Sequence, residues 1–175
     1  MFVRRPFALA GILLLFGGLT LSAASKEEEA KKYADNLKSK DVKLRLQALT
    51  ELAKLGSASL KFVTPYIDQI TETIKDKDAK VRGEAGRTLG AIDPPDKKAA
   101  IEALTKALKD EKDLNARGNM EMGIGDLGAM TKEEDLKKLC LDSLKEARKN
   151  STDKAEQKKI QAAMQTITGM GKKKN

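Results

Sequence analysis

The 175 residues contain no histidine and a single cysteine, Cys140. The first absence removes the side chain that most often serves as a general base near neutral pH and most often ligates zinc. One cysteine permits neither an intrachain disulfide nor a thiolate cluster, and its neighbours Leu136, Leu139, Leu141 and Leu144 mark it as a core thiol rather than a reactive one. The acidic runs Glu27 to Glu29 and Glu133 to Asp135 fall at expected helix starts, where the positive end of the helix dipole accounts for them. No nucleophile and base pair, phosphate-cradling glycine loop or metal-ligand spacing stands out. The sequence therefore predicts a non-enzyme with no catalytic residue, no metal and no cofactor.

The remaining candidates for chemistry are basic residues in register, and the elements that hold them emerge when the chain is compared with itself. The apolar set Leu44, Ala48, Leu52, Leu55 returns as Val81, Ala85, Leu89, Ile92 and again as Ala116, Met120, Ile124, Leu127, displaced by 37 and then 35 residues. Spacing of 4, 4 and 3 lines one face of an α-helix, and a period in this range signals stacked repeat units. A fourth copy, 43 residues further on, keeps Ala163, Ile167 and Met170 but has Lys159 first; terminal repeats diverge because one side meets water. An acid precedes each set by three residues: Asp41, Asp78, Asp113 and, in the fourth copy, Glu156. These are expected N-caps, accepting the unpaired amides of the first turn. Arg45, Arg82 and Arg117 follow the aspartates by four, the favourable order for an ion pair on a helix. The small residues Ala53, Gly90, Gly125 and Thr168 follow the third apolar position and predict close helix approach.

Partner helices lie between, with Ile67, Ile70, Ile74 in one unit and Ile101, Leu104, Leu108 in the next. Breaks are expected at Gly56 to Ser59, Asp93 to Asp96 and Gly128 to Ala129. The pairs Ser25 with Glu28 and Thr131 with Glu134 match the capping box, the second opening a helix to about Lys149, and Pro65 fits a first turn. The expected count is eight helices in four pairs. With aromatics at 3% and no tryptophan the core is aliphatic, from residues that are good helix formers.

At the N-terminus, Arg4 and Arg5 precede an apolar run from Ala8 to Leu21 and the small residues Ser22, Ala23 and Ala24. This is the layout of a signal peptide, with cleavage expected near Ala24. An uncleaved anchor is the alternative, because Pro6 to Ala24 carries no charge and a span takes about 20 residues. The expected divisions are a signal peptide over 1–24, a helical repeat domain over 25–170 and a basic disordered tail over 171–175, in a protein that is exported to a periplasm or secreted. Taking Arg4 and Arg5 from the net charge of +8 leaves +6, with both signs interspersed as on a solvated surface. Lys172 to Lys174 is the one local excess and could touch an anionic membrane transiently. Asn150, Ser151 and Thr152 match a glycosylation sequon, which matters only in a eukaryotic secretory pathway.

The segment Ile74 to Ile92 resembles the HEAT repeats in their short bacterial form, as also seen in phycobilin lyases. Asp76, Asp78, Val81, Arg82, Ala85, Leu89 and Gly90 match the pattern. Asp41, Leu44, Arg45, Ala48 and Leu52 match in the preceding unit, and Asp110, Asp113, Arg117 and Gly125 in the following one, with Met120 in place of the alanine. The resemblance implies an all-α, armadillo-like helical fold, a short right-handed α-solenoid of about four helix pairs. It also implies that Asp41, Arg45, Asp78, Arg82, Asp113 and Arg117 form a structural ladder rather than a phosphate clamp. It fixes no activity, because one fold hosts many functions.

If the capped helices line the concave side, as the resemblance implies, their outward positions are Lys43, Gln47, Thr50, Lys54; Lys80, Glu84, Arg87, Ala91; Asn115, Asn119, Met122, Asp126; and Lys158, Ala162, Gln165, Gly169. Solenoids bind extended partners on such faces. The expectation is a non-catalytic interaction or scaffold module holding a protein or peptide there. The alternatives are a basic solenoid for a polyanion, such as nucleic acid or an envelope polymer, and an accessory subunit of an enzyme. Gly118, Gly123 and Gly125 with Met120 and Met122 make the third capped helix the softest on propensity alone; close packing around core methionines is the competing reading.

Overall fold

The computed structural model describes residues 17–169, with side chains from residue 24 onward. The elements are α1 (Gly17–Asn36), α2 (Val42–Ala58), two 3-10 turns (Leu60–Phe62 and Thr64–Tyr66), α3 (Ile67–Thr73), α4 (Ala79–Ile92), α5 (Lys97–Asp110), α6 (Leu114–Met130), α7 (Glu134–Asn150) and α8 (Lys154–Thr168). The described residues are thus all-α, a short α-solenoid. Aspartates start five of the helices: the Oδ1 atoms of Asp41, Asp78, Asp96, Asp113 and Asp153 accept first-turn amides at 2.7 to 3.2 Å, which satisfies donors that would otherwise lack partners.

The even-numbered helices stand side by side, α2 on α4, α4 on α6 and α6 on α8, and each odd-numbered helix packs behind its even partner. Between the rows runs one core of Leu49, Leu52, Ile70, Leu89, Ile101, Leu104, Ile124, Leu127, Leu144 and Ile160, all fully buried. Burial of each such side chain contributes about 1.5–3 kcal/mol.

Small residues draw the even row together. Gly83 lies against Ala116, Gly86 against Met120, Gly90 against Gly123 and Gly125 against Ala163; a Cβ on Gly90 would sit 2.6 Å from the Gly123 Cα, and one on Gly123 would overlap the Gly86 carbonyl oxygen. In the odd row α3 and α5 part around a groove of about 610 Å³ floored by Ile74, Ala103, Ala107 and Met120. Closer approach in one row than in the other curves the stack toward the even helices, which therefore form its inner face.

Several boundaries differ from the sequence reading. The break expected at Gly56 to Ser59 is present, since α2 ends at Ala58 with Ser59 as its C-cap, although Gly56 itself still sits inside α2 against Ile92 and Val63; Gly128 lies inside α6 against Ile167 and Cys140, so the break expected there falls after Met130 instead. The break at Asp93 to Asp96 is present, with Asp93 at φ 52° ending α4 and Asp96 capping α5. Ser25 and Glu28 lie within α1 rather than at its start, because α1 runs on from Gly17. Thr131 is the C-cap of α6; its Oγ1 accepts the Glu133 amide at 3.1 Å, and α7 begins at Glu134. Ahead of α3, Pro65 falls in a 3-10 turn, so this partner helix has only 7 residues.

The fourth unit also shifts. Asp153, not Glu156, caps α8, which moves the register from 43 to 40 residues after the third unit. Glu156 then occupies the first position of the apolar column, where Val81 and Ala116 stand, and Ile160, Met164 and Ile167 follow it. The spatial match of Gly125 with Ala163, twelve and ten residues past their caps, repeats that of Gly90 with Gly123. Met170 and the basic tail lie outside the described residues, and so, apart from Ala24, do the side chains of the expected leader.

Candidate functional site

Each arginine of the repeated column does two things. Arg45 Nη1 donates to the carbonyls of Ser39 and Lys40 at 2.8 and 3.2 Å, closing the loop before its own helix, while its Nη2 and Nε reach Asp76 of the next unit at 2.9 and 2.8 Å. Arg82 repeats this with the carbonyls of Asp76 and Lys77 and a two-pronged contact on Glu111 at 2.6 and 3.0 Å. Arg117 takes the carbonyls of Leu108 and Glu111 and pairs with Glu156. Each of these guanidinium groups is thus engaged within the fold by two backbone carbonyls and one carboxylate.

The acids of this ladder are not the capping aspartates Asp41, Asp78 and Asp113, nor Asp110. They are Asp76 and Glu111, two residues before a cap, where each also accepts the cap's own amide at 2.8 Å. In the fourth unit that position is Ser151, which can accept the Asp153 amide but brings no charge. The carboxylate comes instead from Glu156, which Ser151 Oγ steadies by donating to it. The Arg82 guanidinium holds Glu111 below the ordinary carboxylate range against the cost of burial. Burial pushes Glu156 up, but Ser151 and Arg117 together leave it lowered.

The inner face carries Lys43, Gln47, Lys54, Lys80, Asn115 and Met122 in exposed positions, with Glu84, Arg87 and Asn119 half-buried. Lys54 pairs with Glu51 at 2.7 Å, and Arg87 with Glu84 at 2.9 Å beside Asp126. Arg87 is therefore a neutralised group rather than a free cation. Met122 is 47% exposed, a large apolar side chain open to water on this face, as Leu114 and Met130 are at the two ends of the same helix. On α8, Lys158, Ala162 and Gln165 are exposed, but the corrected register makes Lys159 and Ala162 the counterparts of Asn119 and Met122.

One residue escaped the sequence reading. Glu121 of α6 is fully buried and neither of its carboxyl oxygens has a hydrogen-bond partner. Burial, reinforced by the facing charge of Glu156, pushes it up to about 8 against Arg117 and Lys159. Its signal was an acid in a column that elsewhere holds Leu49 and Gly86, eight residues past each cap. The Cys140 thiol, buried beside Gly128, is pushed up to about 12 and stays a thiol.

A family model of HEAT repeats matches residues 30–125, more than half of the chain. The chain belongs to the HEAT-repeat family. The match covers α2, α4 and α6 as far as Gly125 and stops before α7 and α8, in keeping with the altered fourth unit. A search of curated proteins returns no match. HEAT repeats generally mediate protein interactions as scaffolds and are typically non-catalytic.

Proposed function

We propose that this HEAT-repeat chain is an exported, non-catalytic scaffold that holds an extended protein or peptide on the inner face of α2, α4 and α6. The observation that carries this reading is Met122, half-exposed on α6 with the neutral Asn119 one turn away and the paired Arg87 and Glu84 at its level on α4. An exposed apolar anchor with a polar surround suits a protein partner, because interface cores are enriched in methionine and their rims are polar. The ladder arginines and Arg87 are paired with carboxylates within the fold, which favours a protein partner over a polyanion. Export rests on the leader pattern of residues 1–24, and among the described residues no helix is long and apolar enough to cross a membrane.

The test is capture from envelope extract with the chain starting at Ser25, comparing wild type, the double reversal Lys43→Glu with Lys80→Glu, and a back-face reversal of Lys138 and Lys149. A discrete protein held by the wild type and the back-face variant, lost from the inner-face variant and retained as salt rises, supports the reading. Equal capture by all three contradicts it. Nucleic acid or envelope polymer that releases steeply with salt points to the polyanion alternative.

A further inference from the structure

The contact between α6 and α8 breaks the rule followed by the others along the inner row. Where α4 meets α6, Gly86 lies on Met120 and Gly83 on Ala116, and where α2 meets α4 the corresponding positions are Leu49 and Val81, both fully buried. At the last contact the same two columns supply Glu121 and Glu156. Two acids thus occupy a seam that is elsewhere apolar or small. Glu156 is already spoken for by Arg117 and Ser151. Glu121 has no donor for either oxygen, an arrangement that suits a carboxylic acid handing its proton to a neighbouring carboxylate and is costly for an ionised one.

The charged groups that face Glu121 are Glu156 and Lys159 of α8 and Arg117 of its own helix. Of the other helices packed on α6, α4 brings the Arg87–Glu84 pair beside Asp126 and α7 brings the neutral Cys140 against Gly128; neither is among the groups that shift Glu121. Lys159 passes over Gly118, 3.5 Å from where a Cβ would be, and offsets the acids only in part.

We propose that Glu121 and Glu156 form a proton-held latch between α6 and α8, which keeps the terminal helix docked while Glu121 is protonated and releases it when that proton leaves. Release turns two buried carboxylates on each other and is relieved by letting water reach the seam. The flank of α6 bearing Gly118, Glu121 and Gly125 then faces solvent. The latch is independent of what the inner face binds.

The sign follows from linkage. Glu121 is raised from 4.5 to about 8, so between these values the docked state holds a proton that the open state does not. Each pH unit in that window lowers the docking equilibrium constant tenfold, and the stabilisation is complete only below 4.5. Amide hydrogen exchange of the full chain at pH 6 and pH 9, corrected for intrinsic rates, tests this in wild type and Glu121→Gln. The expected result is that α8 loses at least tenfold protection relative to α4 in wild type at pH 9, and that Glu121→Gln keeps it. Protection of α8 that tracks α4 at both pH values, or that falls equally in Glu121→Gln, overturns the latch. Should Glu121→Gln fail to fold, a carbon-detected titration of the wild-type Glu121 carboxyl decides: a midpoint near 8 supports the latch, and one near 4.5 overturns it.

Discussion

At the residue scale the molecule separates arginines that hold the fold from arginines that decorate it. Arg45 is 3% exposed and joins two units through Asp76, whereas Arg87 pairs with Glu84 on its own helix in partial contact with water. Removing one partner of a buried pair leaves the other uncompensated and costs about 3–5 kcal/mol, while a surface pair contributes at most about 1 kcal/mol. Arg45→Met is therefore expected to lower the urea midpoint severely and Arg87→Met hardly at all; equal effects would refute the ladder as a structural device. The sequence showed the arginine column because each arginine follows a cap by four. It hid the ladder's acids, because Asp76 and Glu111 act across a loop onto the preceding unit and no helical periodicity links them to their arginines.

At the element scale, glycine spacing does what the apolar columns alone do not. Gly123 has room for no Cβ, since the Gly86 backbone lies there, while Gly118 faces only the flexible end of Lys159. Gly123→Ala is expected to cost about 1–3 kcal/mol from overpacking, outweighing its better helix propensity. Gly118→Ala is expected to gain up to about 1 kcal/mol. Thermal unfolding of both variants checks this, and a stabilised Gly123→Ala would show that α4 and α6 do not approach so closely. Helix positions and the four pairs were legible because caps and apolar spacing are local signals. The fourth register was misread for a specific reason: Glu156 stands in an apolar column, so a polar residue looked like the cap. Gly128 reads as a break because a glycine that accommodates a neighbouring side chain looks, in sequence, like one that ends a helix.

At the scale of the whole molecule, the two ends of the stack differ. Leu44 occupies the column that Val81 and Ala116 bury against a preceding inner helix; among the described residues α2 has no inner helix before it, and Leu44 is 39% exposed. At the other end of the described residues stands α8, which bears the exposed and polar Lys154, Lys158 and Gln165. Between these ends the inner row of α2, α4 and α6 is the surface assigned to a partner. Its most direct test places a photo-crosslinking residue at Met122 and, in a second variant, at Lys138 on α7, and irradiates both in living cells. The account predicts a discrete protein adduct from position 122, recovered in the envelope or the medium, and none from position 138. An adduct from position 138 alone, or adducts confined to the cytoplasm, would contradict it.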